Sequence, residues 1–292
     1  MNLALVFAII APIVWGFLNT FDKFVISHKV KNVLGFAVWV GVANIIISFL
    51  IALFLNWSGV TLISLVFPAC AGIVFGVQAI LYYKALNKSD VSHLIGLYYV
   101  YPVFVSALSF IFLKEVVSFL GYIGVFLVIS GSVALSFRVK NLKAKMDYGL
   151  LFGIIITGAL GEFFIKLTTE NLSAFQGLVV NDVFLGLIMV LYLFSGKIRR
   201  EFVIERRNII FAFSSELLTM LGMMFVYLAM NGLAATIVSS VGASQPLFVI
   251  LFERIAQGRY GKMTKDILLL PKLGAIVLVV IGVVLLVIST QR

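Results

Sequence analysis

Apolar residues fill stretch after stretch of this chain, each close to 20 residues long and parted from the next by a few polar or charged positions. That length is what an α-helix rising 1.5 Å per residue needs to cross roughly 30 Å of hydrocarbon. The pattern predicts helices over 3–21, 34–55, 62–85, 91–113, 118–137, 147–168, 173–195, 208–230, 234–256 and 268–289. Connections this short make each helix antiparallel to the next and leave no room for a soluble domain. Within hydrocarbon every backbone N–H and C=O must be bonded inside its own segment, which helices achieve and open strands do not. The expected fold is therefore an all-α integral membrane protein of ten transmembrane helices. Its first stretch, Met1-Asn2-Leu3 to Trp15-Gly16, has no basic leader and is too long for a signal-peptide core, so it reads as a retained helix.

Composition agrees with a bilayer as the medium. The 292 residues are 62% hydrophobic and 12% charged, with a mean hydropathy of +1.17. A net charge of +10 would suit nucleic acid, but the basic residues sit in short clusters between apolar runs instead of on one folded face, and no nucleic-acid partner is expected. Their placement is informative in another way. The odd-numbered connections and adjacent helix ends hold 19 of the 22 lysines and arginines, and only Lys114, Lys166 and Arg292 lie elsewhere. The positive-inside rule then puts the odd connections in the cytoplasm and both termini outside. The lone cysteine, Cys70, has no disulfide partner and reads as a packing residue.

The two halves echo each other. Tyr83-Lys84-Ala85-Leu86-Asn87 returns as Tyr227-Leu228-Ala229-Met230-Asn231, a shift of 144 residues in a chain whose half-length is 146. The same shift lays Ser92 on Thr236, Pro102 on Pro246 and Phe104 on Phe248; after the ninth helix it slips by about seven, so that Gly131 meets Gly282. Residues 1–145 and 146–292 thus read as two repeats of five helices. An odd number forces the second copy to enter the membrane from the opposite side. Inverted repeats are a recurrent architecture of secondary transporters, since two packings related by pseudo-symmetry can open one central site to either face. Duplication without transport is the structural alternative.

Several positions in the first half carry a family likeness: Trp15-Gly16 with Lys23 beyond it, Tyr83-x-Ala85-Leu86, Pro102 followed 13 residues later by Glu115, and then Gly121, Gly124 and Gly131. In this order they resemble the drug/metabolite transporter superfamily, specifically its EamA-type members with two five-helix repeats. The resemblance implies a multi-pass cell-membrane transporter of small metabolites, with no cofactor. The second half departs from the pattern: Glu253 follows Pro246 after only seven residues, Arg259 stands where Glu115 has its equivalent, and the sixth helix lacks Trp-Gly. The resemblance also implies both termini in the cytoplasm, whereas the charge count places them outside; the charge count is the reading adopted for this chain.

Ionisable groups in hydrocarbon are costly, so those present face a bundle interior or a water-filled cavity. Glu162, Asp182 and Glu216 lie well inside the sixth, seventh and eighth predicted helices. Glu162 and Asp182 fall at the same depth, roughly 20 Å from the basic face, and Glu216 about 12 Å from it. The first two could share one polar site and, because burial disfavours a bare charge, carry a proton in coupled transport. The competing expectation is an ion pair of Glu162 with Lys166, four residues on along the same face, and hydrogen-bonded structural roles for the other two acids.

The ninth helix presents Thr236, Ser240 and Ser244 as a polar stripe, joined by Ser239 and Gln245 ahead of Pro246. Its counterpart in the fourth helix runs Ser92, Gly96 and Val100, flanked by Tyr98, Tyr99 and Tyr101 ahead of Pro102. Each proline frees a backbone carbonyl one turn earlier, so helices four and nine are expected to line the central cavity. Hydroxyls that merely bond their own backbone and tyrosines at the interface are the plainer alternatives. Gln78, Trp15 and Asn19 are secondary candidates, with packing as their other role. His28 and His93 lack metal-ligand company, so no metal is expected. No nucleotide-binding glycine loop, metal-ligand cluster or nucleophile elbow is found, which argues against an ATP-driven pump and leaves an ion-coupled or exchange carrier. The reading is a secondary transporter of small metabolites, of the amino-acid or amphipathic-solute exporting kind, working by alternating access with a solute and a proton as partners, in the bilayer as a monomer or homodimer. An intramembrane enzyme acting on a lipid-like substrate and a channel are the alternatives.

Overall fold

The computed structural model describes residues 3–86, 98–136, 148–260 and 272–290. Among the described residues there is no strand, and seven helical stretches are long and apolar enough to cross a membrane. Three shorter apolar helices, Tyr101–Leu113, Phe119–Leu135 and Leu273–Ser289, accompany them. The chain is a multi-pass, all-helical membrane protein. Large apolar side chains such as Phe49, Phe54, Phe126, Phe152 and Val277 face outward, as a lipid-facing surface requires. The expected polar positions Ser92, His93 and Gly96 lie outside the described residues, as do the basic residues Lys88, Arg138, Lys140, Lys143, Lys145, Lys262 and Lys265.

In chain order the helices are α1 (Leu3–His28), α2 (Val33–Ala52), α3 (Val66–Leu86), α4 (Tyr101–Leu108), α5 (Phe119–Ser136), α6 (Tyr148–Thr168), α7 (Ala174–Val190), α8 (Gly196–Glu205), α9 (Ile209–Met230), α10 (Ala235–Gly242), α11 (Gln245–Tyr260) and α12 (Leu273–Ser289). The pairing runs largely between halves. Helix α1 lies along α9 and touches α10 and α11; α3 packs on α6 and α7; α2 packs on α7, α4 meets α10 and α5 runs along α12.

Glycines decide how closely two of these pairs approach. A Cβ at Gly186 would stand 2.5 Å from the Gly41 carbonyl oxygen, at the α2–α7 crossing. At the α5–α12 crossing the relation is reciprocal: a Cβ at Gly124 would stand 2.9 Å from Gly282 O, and one at Gly282 would stand 2.8 Å from Gly124 O. Small residues of this kind let helix backbones pack where no hydrophobic force acts between them in lipid.

Three features differ from the sequence expectation. Helix α1 continues to His28 rather than stopping at 21, because its charges are satisfied inside the bundle: the Ser215 hydroxyl donates to Asp22 at 2.7 Å and Lys23 bonds Glu253 at 2.5 Å. The connection after the seventh span contains the amphipathic helix α8, where a loop was expected. It is fastened to α2 by Trp39, whose ring stacks on Phe202 with centroids 4.2 Å apart and whose Nε1–H donates to Phe202 O. Buried Glu205 at its end accepts the backbone N–H groups of Lys31 and Asn32 at 2.9 and 2.8 Å, supplying acceptors at the start of α2 where helical partners run out. Third, the ninth span is broken: α10 ends at Gly242 and α11 begins at Gln245, because Pro246 has no N–H to continue the ladder.

Candidate functional site: a cavity between the two halves

A cavity of about 270 Å³ lies at the centre of the bundle, walled by both halves. Trp15 and Asn19 of α1 and Phe75, Gln78 and Tyr82 of α3 reach it from the first half. Glu162 of α6, Thr219 and Met223 of α9, Gly242 of α10 and Gln245 of α11 reach it from the second. Tyr98, Tyr99 and Tyr101 complete one wall beside the break ahead of Pro102. The two prolines explain the polar backbone here. Each lacks an N–H for the carbonyl four residues earlier, which belongs to Tyr98 in one half and Gly242 in the other, and both residues line the cavity.

Glu162 is the one acidic or basic side chain in this lining. Its Oε1 accepts the Tyr101 hydroxyl at 2.9 Å, and the same phenol lies 3.3 Å from the Ser239 carbonyl oxygen of α10. The second oxygen, Oε2, is buried without a hydrogen-bond partner. The Tyr98 ring stacks on that of Tyr101 at 4.8 Å between centroids, and Gln78 and the Tyr98 hydroxyl both lie against Gly158. Tyr101 thus braces three elements, α4, α6 and α10, around one carboxyl group.

Lys166 is not the partner of Glu162, although four residues separate them on α6. Its ammonium donates to the carbonyl oxygens of Met230 and Leu233 at 2.8 and 2.9 Å and lies 3.5 Å from Glu115 Oε1. The end of α9 leaves carbonyls without helical partners, and these attract a cation. Glu115 is held in turn by the backbone N–H of Ala235, at 2.9 Å from its other oxygen. At the end of α1, Lys23 bonds Glu253 of α11.

Asp182 and Glu216 lie outside the cavity lining, so the equal depth expected of Glu162 and Asp182 does not bring both to the cavity. Asp182 instead neighbours Glu216, and both belong to a buried polar group with Asp22, Asn44 and Asn181. Asn44 donates to Glu216 at 2.8 Å and Asn181 to Asp182 at 2.7 Å. Thr236, Ser240 and Ser244 are also outside the lining and buried. The Ser240 and Ser239 hydroxyls bond back to Thr236 O, at 2.6 and 3.2 Å, the self-bonding that hydroxyls on membrane helices favour. Sequence reasoning missed Phe75, Tyr82, Asp22, Asn44 and Asn181. Two signals for them existed: Asn44 interrupts an apolar helix, and Asp22 stands one turn beyond Asn19.

Residues 2–137 match the model of the EamA-like transporter family. The first half of the chain is thus similar to that family. The EamA-like family is part of the drug/metabolite transporter superfamily. An uncharacterized protein of Methanocaldococcus jannaschii is 27% identical over 146 residues, which is 49% of this chain and 99% of that protein. A crystal structure superposes with a TM-score of 0.70 at 14% identity, covering 99% of this chain and 98% of that one, so the fold is shared across the EamA-like half and the second half alike.

Proposed function

We propose that the chain is a secondary carrier of small metabolites built from ten membrane-spanning helices, with residues 1–145 and 146–292 as oppositely oriented repeats that open a shared cavity to each face in turn. The 144-residue echo supports the repeat, and so does a relative whose whole length corresponds to half of this chain. The helix pairing has the exchange pattern that a pseudo-twofold axis requires. Taking α6, α7 and α9 as counterparts of α1, α2 and α3, the α1–α9 contact maps onto α6–α3, and α2–α7 maps onto itself. The ion pairs follow the same pattern, since Lys23 and Lys166 stand 143 residues apart and each bonds a glutamate of the other half. By this symmetry and the distribution of basic residues, Lys23–Glu253 bridges the halves on the cytoplasmic side and Lys166–Glu115 on the opposite side, with both termini outside.

The solute read from the cavity is small, amphipathic and amino-bearing. Aromatic rings at Trp15, Phe75, Tyr82 and Tyr98 offer faces to an apolar or cationic group. Gln78 and Gln245 offer amides, and Glu162 offers the charge that fixes an ammonium. The observation that carries this reading is the single carboxyl of Glu162, half-satisfied by Tyr101, in a cavity sized for a small metabolite. Coupling to a cation gradient, of protons in the simplest case, drives its movement in a monomer or homodimer.

The test is counterflow in liposomes holding the purified full chain, against a broad panel of amino acids, amines and neutral metabolites. Accelerated exchange of amino-bearing members, lost in Glu162→Gln, is the expected result. Exchange of no member of the panel would remove the basis of the carrier reading.

A further inference from the structure

We propose that Asp182 and Glu216, together with the amides of Asn44 and Asn181, form a binding site for one small monovalent cation, a proton or a sodium ion, one helical turn from the solute cavity. Binding at this site stands by itself; its role in coupling rests on the carrier reading.

Three helices bring these groups together: α2 supplies Asn44, α7 Asn181 and Asp182, and α9 Glu216, while Asp22 of α1 is held by Ser215, the residue before Glu216. Asn44, Asn181, Asp182 and Glu216 are each no more than 1% exposed. The donors on hand are already spent, with Asn44 on Glu216, Asn181 on Asp182 and Ser215 on Asp22. What is left over is of one kind. Asn44 Oδ1, Asn181 Oδ1, Asp182 Oδ2 and Glu216 Oε1 are all buried without hydrogen-bond partners, and all are acceptor oxygens. The site therefore calls for a proton or a cation, not for another acceptor.

Among the described residues these acids have no lysine or arginine partner. Glu216 feels the charges of Asp182 and Asp22, and the other titratable groups facing the cluster are the phenols Tyr82, Tyr83 and Tyr227. The ion pairs Lys23–Glu253 and Lys166–Glu115 use other acids. Carboxylates buried without a positive partner are among the costliest arrangements in a protein. An oxygen-only donor set selects a hard cation. Among the described residues no group of three acidic, histidine or cysteine side chains could hold a metal ion, so the donor set is limited to two carboxyls and two amide oxygens.

Its position links it to the solute. Asp22 is three residues from Asn19, Glu216 three from Thr219 and Asp182 three from Leu185, and the second member of each pair lines the cavity. Three residues are about 4.5 Å of helix rise. Tyr82, which faces the cavity, also interacts with Asp22. A cation that draws α7 and α9 together would shape two walls of the cavity at once.

The experiment uses the purified full chain in liposomes. Its melting temperature is followed as sodium chloride replaces choline chloride at constant ionic strength, and the infrared band of protonated carboxyl groups is followed from acid to alkaline pH. A sodium site gives a saturable rise in melting temperature with sodium. A proton site gives no sodium response and a carboxyl band that titrates. Whichever response is seen is expected to vanish in Asp182→Asn and to survive in Glu162→Gln. Asn44→Ala, which keeps both acids, is expected to weaken cation affinity about tenfold by releasing Glu216 from its orienting partner, and it serves as the readout should Asp182→Asn fail to fold. Absence of both responses, or an unchanged response in both Asp182→Asn and Asn44→Ala, overturns the proposal. A cation response that persists while the metabolite panel stays silent would sink the carrier reading and leave this site standing.

Discussion

Lys23 and Lys166 occupy matching places near the ends of α1 and α6, yet they are held differently. Lys23 has one partner, Glu253, at 2.5 Å, and its side chain is 31% exposed. Lys166 is 19% exposed and has three: two backbone carbonyls and the more distant carboxylate of Glu115, which is itself tied to the start of α10. One bridge is a simple ion pair that water can compete for. The other is a mesh in which backbone and side chains share the charge. Equivalent positions need not therefore be equally easy to part, and the Lys23 side is the one whose opening costs less.

That difference can be tested through stability in detergent or lipid. Lys166→Met strands two helix-end carbonyls and Glu115, and is expected to cost about 3 kcal/mol, the range for breaking a buried charged network, as read from denaturant titration. Glu115→Gln keeps an acceptor for Ala235 N–H and should cost less, about 1–2 kcal/mol. Lys23→Met removes a partly exposed pair and should cost about 1 kcal/mol. Smallest is the departure from additivity in the double variant Lys23→Met/Lys166→Met, expected within about 0.5 kcal/mol because the two bridges share no partner. If Lys23→Met proves the more damaging, the ranking of the two sides is inverted. A large coupling in the double variant would mean that one event parts both bridges.

Tyr101→Phe probes the cavity instead. Loss of its hydroxyl leaves both Glu162 oxygens without a phenol partner, and is expected to weaken solute binding about tenfold, checked by the concentration dependence of counterflow.

Much of the fold was legible because hydrocarbon imposes a simple rule of length and apolarity, which marked the long spans at 33–52 and 148–168 to within three residues. Where it failed, a polar residue had found a partner that only the tertiary structure provides. Asp22 and Lys23 resembled the end of a helix until Ser215 and Glu253 were placed beside them. Helix α8 was hidden because its charged residues resemble a loop, while the anchoring by Trp39 and Glu205 is long-range. In the candidate site, Trp15, Asn19, Gln78, Tyr98, Tyr99, Glu162 and Gln245 do meet at the cavity. The hydroxyl stripe does not, because periodicity gives a face of a helix without saying which neighbour that face meets. Equal depth likewise allowed Glu162 and Asp182 to share one site, but only Glu162 lines the cavity.

The most direct test of alternating access needs no knowledge of the solute. In a Cys70→Ala background, Gln78→Cys places a thiol in the cavity wall, and a membrane-impermeant thiol reagent is applied from one side of sealed, oriented vesicles and then from the other. Labelling from either side is the predicted result. A thiol reached from one side only, or from neither, would contradict a cavity that opens to both.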